Sequence, residues 1–312
     1  MNSHDLRIVF MGTPEFAAAS LAKILECGYN VVGVVTVPDR QAGRGLQMQQ
    51  SAVKKYALEN GLHVLQPEKL KNEQWVEEFR ALRADLAIVV AFRMLPEVIW
   101  SMPPLGTFNL HASLLPAYRG AAPINWAIIN GDSKTGVTTF FLDHNIDSGE
   151  IIDSTEVEIS ETDNAGALHD RLMAVGAELV IKTIDKIVSG CVVLTPQTMM
   201  VSSPAPKIFK DDCRIFFDQP LTQVYNKIRG LAPYPAAWCE LAGTTIKIFD
   251  CHPDNKNTPQ TNSYGVFENI DNKQLRVSCA DGWLYIDTLQ LSGKRAMSAA
   301  EFLRGNGSKL GL

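Results

Sequence analysis

The sequence predicts an α/β protein of two domains, a Rossmann-like doubly wound N-terminal domain followed by a smaller OB-type β-barrel. Three observations carry that expectation. From residue 6 onward, short apolar runs alternate with helical patterns, the signature of βαβ units. A stretch containing Pro196, Pro204 and Pro206 then breaks the alternation. Beyond it, short strand-like runs joined by polar turns take over, with one amphipathic helix, which is the pattern of a small barrel. The expected boundaries are 1–190 for the first domain, 191–209 for a linker and 210–312 for the second.

Leu6–Met11 is an apolar run broken only by Arg7, as expected for a strand buried on both faces of a parallel sheet. Thr13 suits an N-cap, Pro14 the first helical turn and Glu15 the positive end of the helix dipole, with Cys27-Gly28 as the stop. Asn30–Val37 is the second strand. Ser51–Glu59 and Asn72–Leu82 read as helices, and His63–Leu65 and Asp85–Ala91 as strands. A short helix at Pro96–Trp100 leads through Met102-Pro103-Pro104 into the strand Gly106–Leu110. Ile124–Asn130 reads as a helix, Thr135–Leu142 and Ile151–Ile159 as strands, and Glu161–Gly190 as a long helix. In the last third, Leu221–Arg229 reads as a helix. Trp238–Leu241, Thr244–Phe249, Gln274–Ser278 and Trp283–Leu289 read as strands.

Composition narrows the function classes. The chain has 312 residues, 46% apolar and 20% charged, enough to build sizeable cores. The net charge of −5 disfavours indiscriminate nucleic-acid binding. It is uneven: residues 207–312 hold 13 Lys+Arg against 11 Asp+Glu, leaving −7 for the rest, so a polyanion is expected to meet the C-terminal part. The six cysteines are scattered without metal-ligand spacing, which reads as reduced thiols in a cytoplasmic protein with no metal. No apolar run approaches the ~18 residues of a membrane span. Gly12-Thr13-Pro14-Glu15 is not a G-x-G-x-x-G fingerprint, so a dinucleotide is disfavoured.

The chemistry concentrates in Phe108–Pro123. Asn109 and His111 sit at i and i+2 on a strand, which places an amide and an imidazole on one face. Asp147 follows 36 positions after His111, across one intervening strand. Its loop is expected over the same sheet end, where open α/β sheets bind ligands. The trio suits attack on a carbonyl carbon: donors for the developing oxyanion, and a carboxylate to hold the imidazole and take protons. Each residue also has a plain alternative, Asn and Asp as turn formers and His144 as a rival imidazole. Arg40 and Arg44, in Pro38–Gly45, read either as surface residues or as a phosphate clamp.

Asn109–Pro123 (NLHASLLPAYRGAAP), Thr135–Thr138 and Asp147–Ile151 closely resemble the folate-dependent formyltransferases. So do Phe10–Phe16, the Pro38–Gly45 loop and the stretch Arg229–Trp238, so the resemblance spans nearly the whole chain. It implies that 10-formyltetrahydrofolate is the donor and the α-amino group of methionine on initiator tRNA the acceptor. It assigns catalysis to Asn109, His111 and Asp147, and folate contacts to Ser113, Leu114, Leu115, Pro116, Phe92, Met94 and Leu95. Arg40 and Arg44 fall to the tRNA, with the C-terminal domain holding its body and the enzyme acting as a monomer. The uncharged Leu46–Ser51 departs from the family pattern and thins positive charge in the loop, and the pair Asn125-Trp126 is a second departure. Two other readings stay open: a sugar-nucleotide amine as acceptor, or a non-catalytic OB-fold RNA-binding protein.

Overall fold

The computed structural model describes residues 5–42, 47–197, 203–254, 263–307 and 311. They group into two units. The first comprises residues 1–120, 135–157 and 169–204, the second 121–134, 158–168 and 205–312.

The first unit is built on a seven-stranded sheet. In chain order its strands are β1 (Arg7–Gly12), β2 (Asn30–Val35), β5 (Val64–Leu65), β6 (Leu86–Val90), β7 (Thr107–His111), β9 (Lys134–Phe141) and β10 (Ile151–Glu158). The spatial order is β10-β9-β7-β6-β1-β2-β5, so the chain winds outward in both directions from β1. The ladders β5-β2-β1-β6-β7 are parallel, and β9 runs antiparallel to β7. This is the doubly wound arrangement expected, with its switch point between β1 and β6. The helices are α1 (Glu15–Glu26), α2 (Ala52–Glu59), α3 (Glu73–Ala81), α4 (Glu97–Trp100) and, from His169 onward, α6 (Ala165–Val188). One sheet face packs Val9, Met11, Ala87 and Val89 against Trp75, Val76 and Phe79 of α3.

Two local expectations change. Pro14, not Thr13, is the capping residue of α1, and no side chain bonds the first turn. Thr13 instead lends its carbonyl to Val53 N of α2. The described part of Pro38–Gly45 is not a plain loop: β3 (Arg40–Ala42) pairs antiparallel with β4 (Gln47–Gln49) as a hairpin. Gly12 matters for packing rather than for a pyrophosphate, because a Cβ there would lie 2.5 Å from Ala17 Cβ.

The second unit is β-rich, around a five-strand antiparallel path. It runs β12 (Ala237–Leu241), β13 (Thr244–Asp254), β16 (Trp283–Leu291), β15 (Gln274–Ser278) and β14 (Phe267–Ile270). The tiny β17 (Met297–Ser298) pairs with β16. Register shifts around Asp250 let the long β13 bend. Its core joins Ile246, Ile248, Leu284 and Leu289 of the sheet to Val224 and Ile228 of α7 (Leu221–Leu231). Phe302 and Leu303 of α8 (Ala299–Asn306) complete it. The expected helix at 221–229 is present and extends to Leu231; α8 and β14 are additions to the reading. The helix α5 (Pro123–Ile129) groups with this unit, and Asn125 Nδ2 donates to Gly230 O at 2.8 Å within it. Among the described residues no helix is long and apolar enough to cross a membrane.

Candidate active site

Three strands deliver their ends to one edge in step. Gly12 of β1 is level with Val90 of β6, and Val90 with Leu110 of β7. The loops after Gly12, Val90 and His111 therefore leave the sheet side by side, at the carboxyl edge beside the switch point.

Asn109 sits in a cross-sheet row with Met11, Val89 and Phe140. Residues in register share a face, so an amide has been placed in an otherwise apolar row. Its Oδ1 is buried and has no hydrogen-bond partner. An unpaired buried polar atom costs about 1–3 kcal/mol, so an apolar side chain at this position would avoid that cost. Because the amide can be turned over, that position accepts or donates according to what enters.

His111 ends β7, is 6% exposed and lies beside Thr138. Its Nε2 is 2.9 Å from Tyr118 O. A carbonyl only accepts, so Nε2 carries the hydrogen and Nδ1 is the working nitrogen. Nδ1 lies 3.8 Å from Asp147 Oδ2, too long for a hydrogen bond but within an ion-pair contact. Catalytic pairs in unliganded sites are often this long.

Asp147 is held in an unusual way. Its φ of +52° is left-handed, a conformation Asp tolerates better than most residues. Oδ2 accepts from Gly120 N at 3.0 Å. Two residues on, Gly149 passes so close to β9 that a Cβ would lie 1.7 Å from Phe141 O, so only glycine fits. The loop is thus pressed onto the sheet edge on both sides of its carboxylate. His144 does not compete for the imidazole role: it is exposed, 3.7 Å from Glu97 Oε2, and packs edge-on against Trp100.

The turn after His111 is stapled in place. Ser113 is fully buried and its Oγ donates to Ala117 O at 2.6 Å. Thr138 Oγ1 donates to Ser113 O at 2.6 Å and accepts from Leu115 N at 3.1 Å. Leu115 is also buried, whereas Leu114 and Pro116 are half-buried. Ser113 and Leu115 therefore shape the turn, and Leu114 and Pro116 are the members with surface to offer.

In the loop after β6, Leu95 belongs to the core and Met94 is 69% exposed, while Phe92 packs half-buried against that core. Arg93 braces this loop, donating from Nη2 to Pro67 O at 2.6 Å and from Nη1 to Glu68 O at 3.1 Å. Burial, and then the nearby positive charge of Arg40, push its guanidinium down from the ordinary value. Arg40 is exposed on β3. The turn before it is fixed by Asp39, whose Oδ2 is 2.6 Å from Lys54 Nζ, while Gln66 Nε2 donates to its Oδ1 at 2.8 Å. The bond from Lys54, then that from Gln66, holds the Asp39 carboxyl below its usual range. Arg44 lies outside the described residues.

The structure thus brings Asn109, His111 and Asp147 to one edge, with Ser113–Pro116 wrapped beside them. The sequence reading passed over Arg119, Tyr118, Thr138 and Gln197 as contributors; only Tyr118, Arg119 and Thr138 lay inside quoted motifs. Gln197 carries no local signal.

An amide, an imidazole and a carboxylate at the carboxyl edge of a doubly wound sheet that lacks a phosphate fingerprint define an acyl-transfer type of site. Residues 6–184 match the formyl transferase family model and residues 207–307 that of the formyl transferase C-terminal domain. The chain belongs to the formyltransferase family. It is 53% identical to methionyl-tRNA formyltransferase of Bacteroides fragilis, over 98% of this chain and 96% of that protein. The protein of the same name from Flavobacterium psychrophilum is 50% identical over 96% of each. Among solved structures the fold is shared with an N-formyltransferase from Helicobacter canadensis in complex with folinic acid and dTDP-3-aminofucose. That match has a TM-score of 0.65 and 23% identity, over 90% of this chain and 98% of that one. HypX from Aquifex aeolicus, in complex with tetrahydrofolic acid, matches at TM-score 0.66 and 18% identity, over 96% of this chain and 47% of that one.

Proposed function

We propose that this enzyme transfers the formyl group of 10-formyltetrahydrofolate to the α-amino group of methionyl initiator tRNA. The observation that carries the reading is the convergence of His111 and Asp147 at the end of the strand that carries Asn109, whose amide oxygen is unpaired. Identity above half to proteins bearing that name, over nearly their whole length, supports the acceptor. The folate donor supplies an activated formyl group on nitrogen. Leu114, Pro116 and Phe92 offer it apolar surface beside the trio.

The geometry supports a part for the chain's own residues. An uncharged amine attacks the formyl carbon, and negative charge grows on the formyl oxygen. The Asn109 amide, turned to present N–H, and a protonated His111 Nδ1 donate to that oxygen. His111 Nε2 stays on Tyr118 O, so the ring cannot rotate away. The Asp147 carboxylate accepts the proton released by the attacking nitrogen, directly or through water, and returns it to the departing nitrogen. One C–N bond forms, one breaks, and one proton is passed between the two nitrogens. Arg40, exposed on the hairpin anchored by Asp39 and Lys54, would meet a phosphate of the acceptor.

The test is formylation of charged initiator tRNA with the folate donor, for wild type and His111→Ala, with a sugar-nucleotide amine as a parallel acceptor. The expected result is activity on the tRNA alone, reduced at least ~100-fold in the variant. Activity confined to the sugar nucleotide, or a fully active variant, would refute the reading.

A further inference from the structure

We propose that Gln197, itself held by Arg119, is a positioning residue that fixes the Asp147 loop so that the carboxylate faces His111. The inference rests on the reading of Asp147 given above.

Gln197 reaches the loop from a segment far along the chain. Its Nε2 donates to two carbonyls, Asp147 O at 3.1 Å and Gly149 O at 2.8 Å. Its Oε1 accepts two bonds from one guanidinium, Arg119 Nε at 3.0 Å and Nη2 at 2.6 Å. Both ends of the side-chain amide are therefore used, and its orientation is set by a group that only donates. The backbone leading to Gln197 is pinned too: Thr195 and Ile151 exchange N–H···O bonds at 2.9 Å in both directions. Alternate residues 147, 149 and 151 are thus tied one after another to the segment 195–197.

The other side of the tether returns to the imidazole. Tyr118 gives its carbonyl to His111 Nε2, Arg119 gives its guanidinium to Gln197, and Gly120 gives its N–H to Asp147 Oδ2. Three consecutive residues thus touch the imidazole, the tether and the carboxylate. At 3.8 Å the His111–Asp147 pair sits just beyond hydrogen-bond reach, so a displacement of a few tenths of an ångström decides whether it makes contact. Asp147 is in a left-handed conformation, and the two bonds from Gln197 grip the backbone on either side of Ser148.

The experiment compares single-turnover formyl transfer and KM in Gln197→Ala, Gln197→Glu, Asp147→Asn and the double variant Gln197→Ala/Asp147→Asn. Expected for Gln197→Ala is a kcat loss of roughly 10- to 100-fold, as for other supporting residues, with KM for both substrates nearly constant. In the Asp147→Asn background the same change is expected to cost nothing more, because it acts through that carboxylate. Gln197→Glu keeps the bond to Arg119 and the volume but cannot donate when ionised. Its activity relative to wild type is expected to rise as pH falls and the carboxyl gains a proton. A fully active Gln197→Ala, or an equal loss in both backgrounds, would overturn the inference while leaving Asp147 in place. A fully active Asp147→Asn would remove the reading of Asp147 and the inference with it. Should Gln197→Ala not fold, the pH ratio of Gln197→Glu decides, and a flat ratio counts against the proposal.

Discussion

The carboxyl edge of β7 and the core of the second unit are built on opposite terms. At the edge, an amide oxygen is buried without a partner, an aspartate adopts a left-handed backbone, and a His–Asp pair stands slightly apart. In the second unit, Ile246, Ile248, Leu284, Leu289 and Phe302 are buried to 2% exposure or less, and the cysteines among them serve as small apolar packing. Burial raises the Cys239 and Cys279 thiols to about 12 and the Cys251 thiol well above its usual value. At the edge these locally unfavourable groups stand where charge must be met during a reaction; in the second core apolar area holds the fold.

The contrast can be broken most forcefully from the packed side. Phe302→Ala empties a fully buried ring from the second core and is expected to lower stability by about 3–5 kcal/mol. Measured below its lowered melting temperature, the variant should transfer formyl at the wild-type rate per folded molecule. A kcat loss at unchanged fold would show that the two regions are not separable in this way.

Asp147→Asn probes the other side. Asn also tolerates the left-handed backbone and still accepts from Gly120 N, so the loop should keep its place. The expected loss is about 10²- to 10³-fold in kcat, roughly 3–4 kcal/mol of barrier, with the melting temperature little changed. Equal losses of rate and stability would mean that Asp147 is chiefly structural.

A smaller effect is expected at the Asp39–Lys54 pair. The folded carboxyl of Asp39 titrates below its unfolded value, so its contribution to the hairpin is present above about pH 4 and lost as pH falls through the lower, folded value. The protection of the residue 39–41 amides, taken relative to the intrinsic exchange rate at each pH, should fall in acid for wild type. Lys54→Met should exchange fast at neutral pH and change less on acidification; a matching acid response in both would discount the pair.

Thiol labelling gives the mildest test. Cys27 and Cys191 are exposed and should react first, and Cys213, Cys239, Cys251 and Cys279 only on unfolding. Rapid labelling of a buried thiol would argue against the tight second core.

Much of the fold was legible because its signals are local. Apolar runs give β1, β2 and β6, and Asn72 and Ser51 stand where side chains cap α3 and α2. Asn109 and His111 were legible from spacing on a strand; their link to Asp147 needed the topology. Other features escaped for physical reasons. Ser298 and Glu301 form a capping box that marks α8, a signal present in the sequence and passed over. The hairpin β3–β4 pairs short polar segments with no apolar alternation to betray them. Gln197 was illegible because its role depends on two carbonyls nearly fifty residues earlier and a guanidinium before those.

The central claim is that Asn109 occupies an apolar row for the sake of the reaction and at a cost to stability. Asn109→Leu tests it in one protein with two readouts, since leucine shares the branched heavy-atom skeleton of asparagine and is apolar like Met11, Val89 and Phe140. Thermal unfolding and single-turnover formyl transfer are measured on the same sample. The account expects a melting temperature at or above that of wild type and a transfer rate lower by roughly 10²-fold. A variant that is destabilised, or one that transfers formyl as fast as wild type, would contradict it.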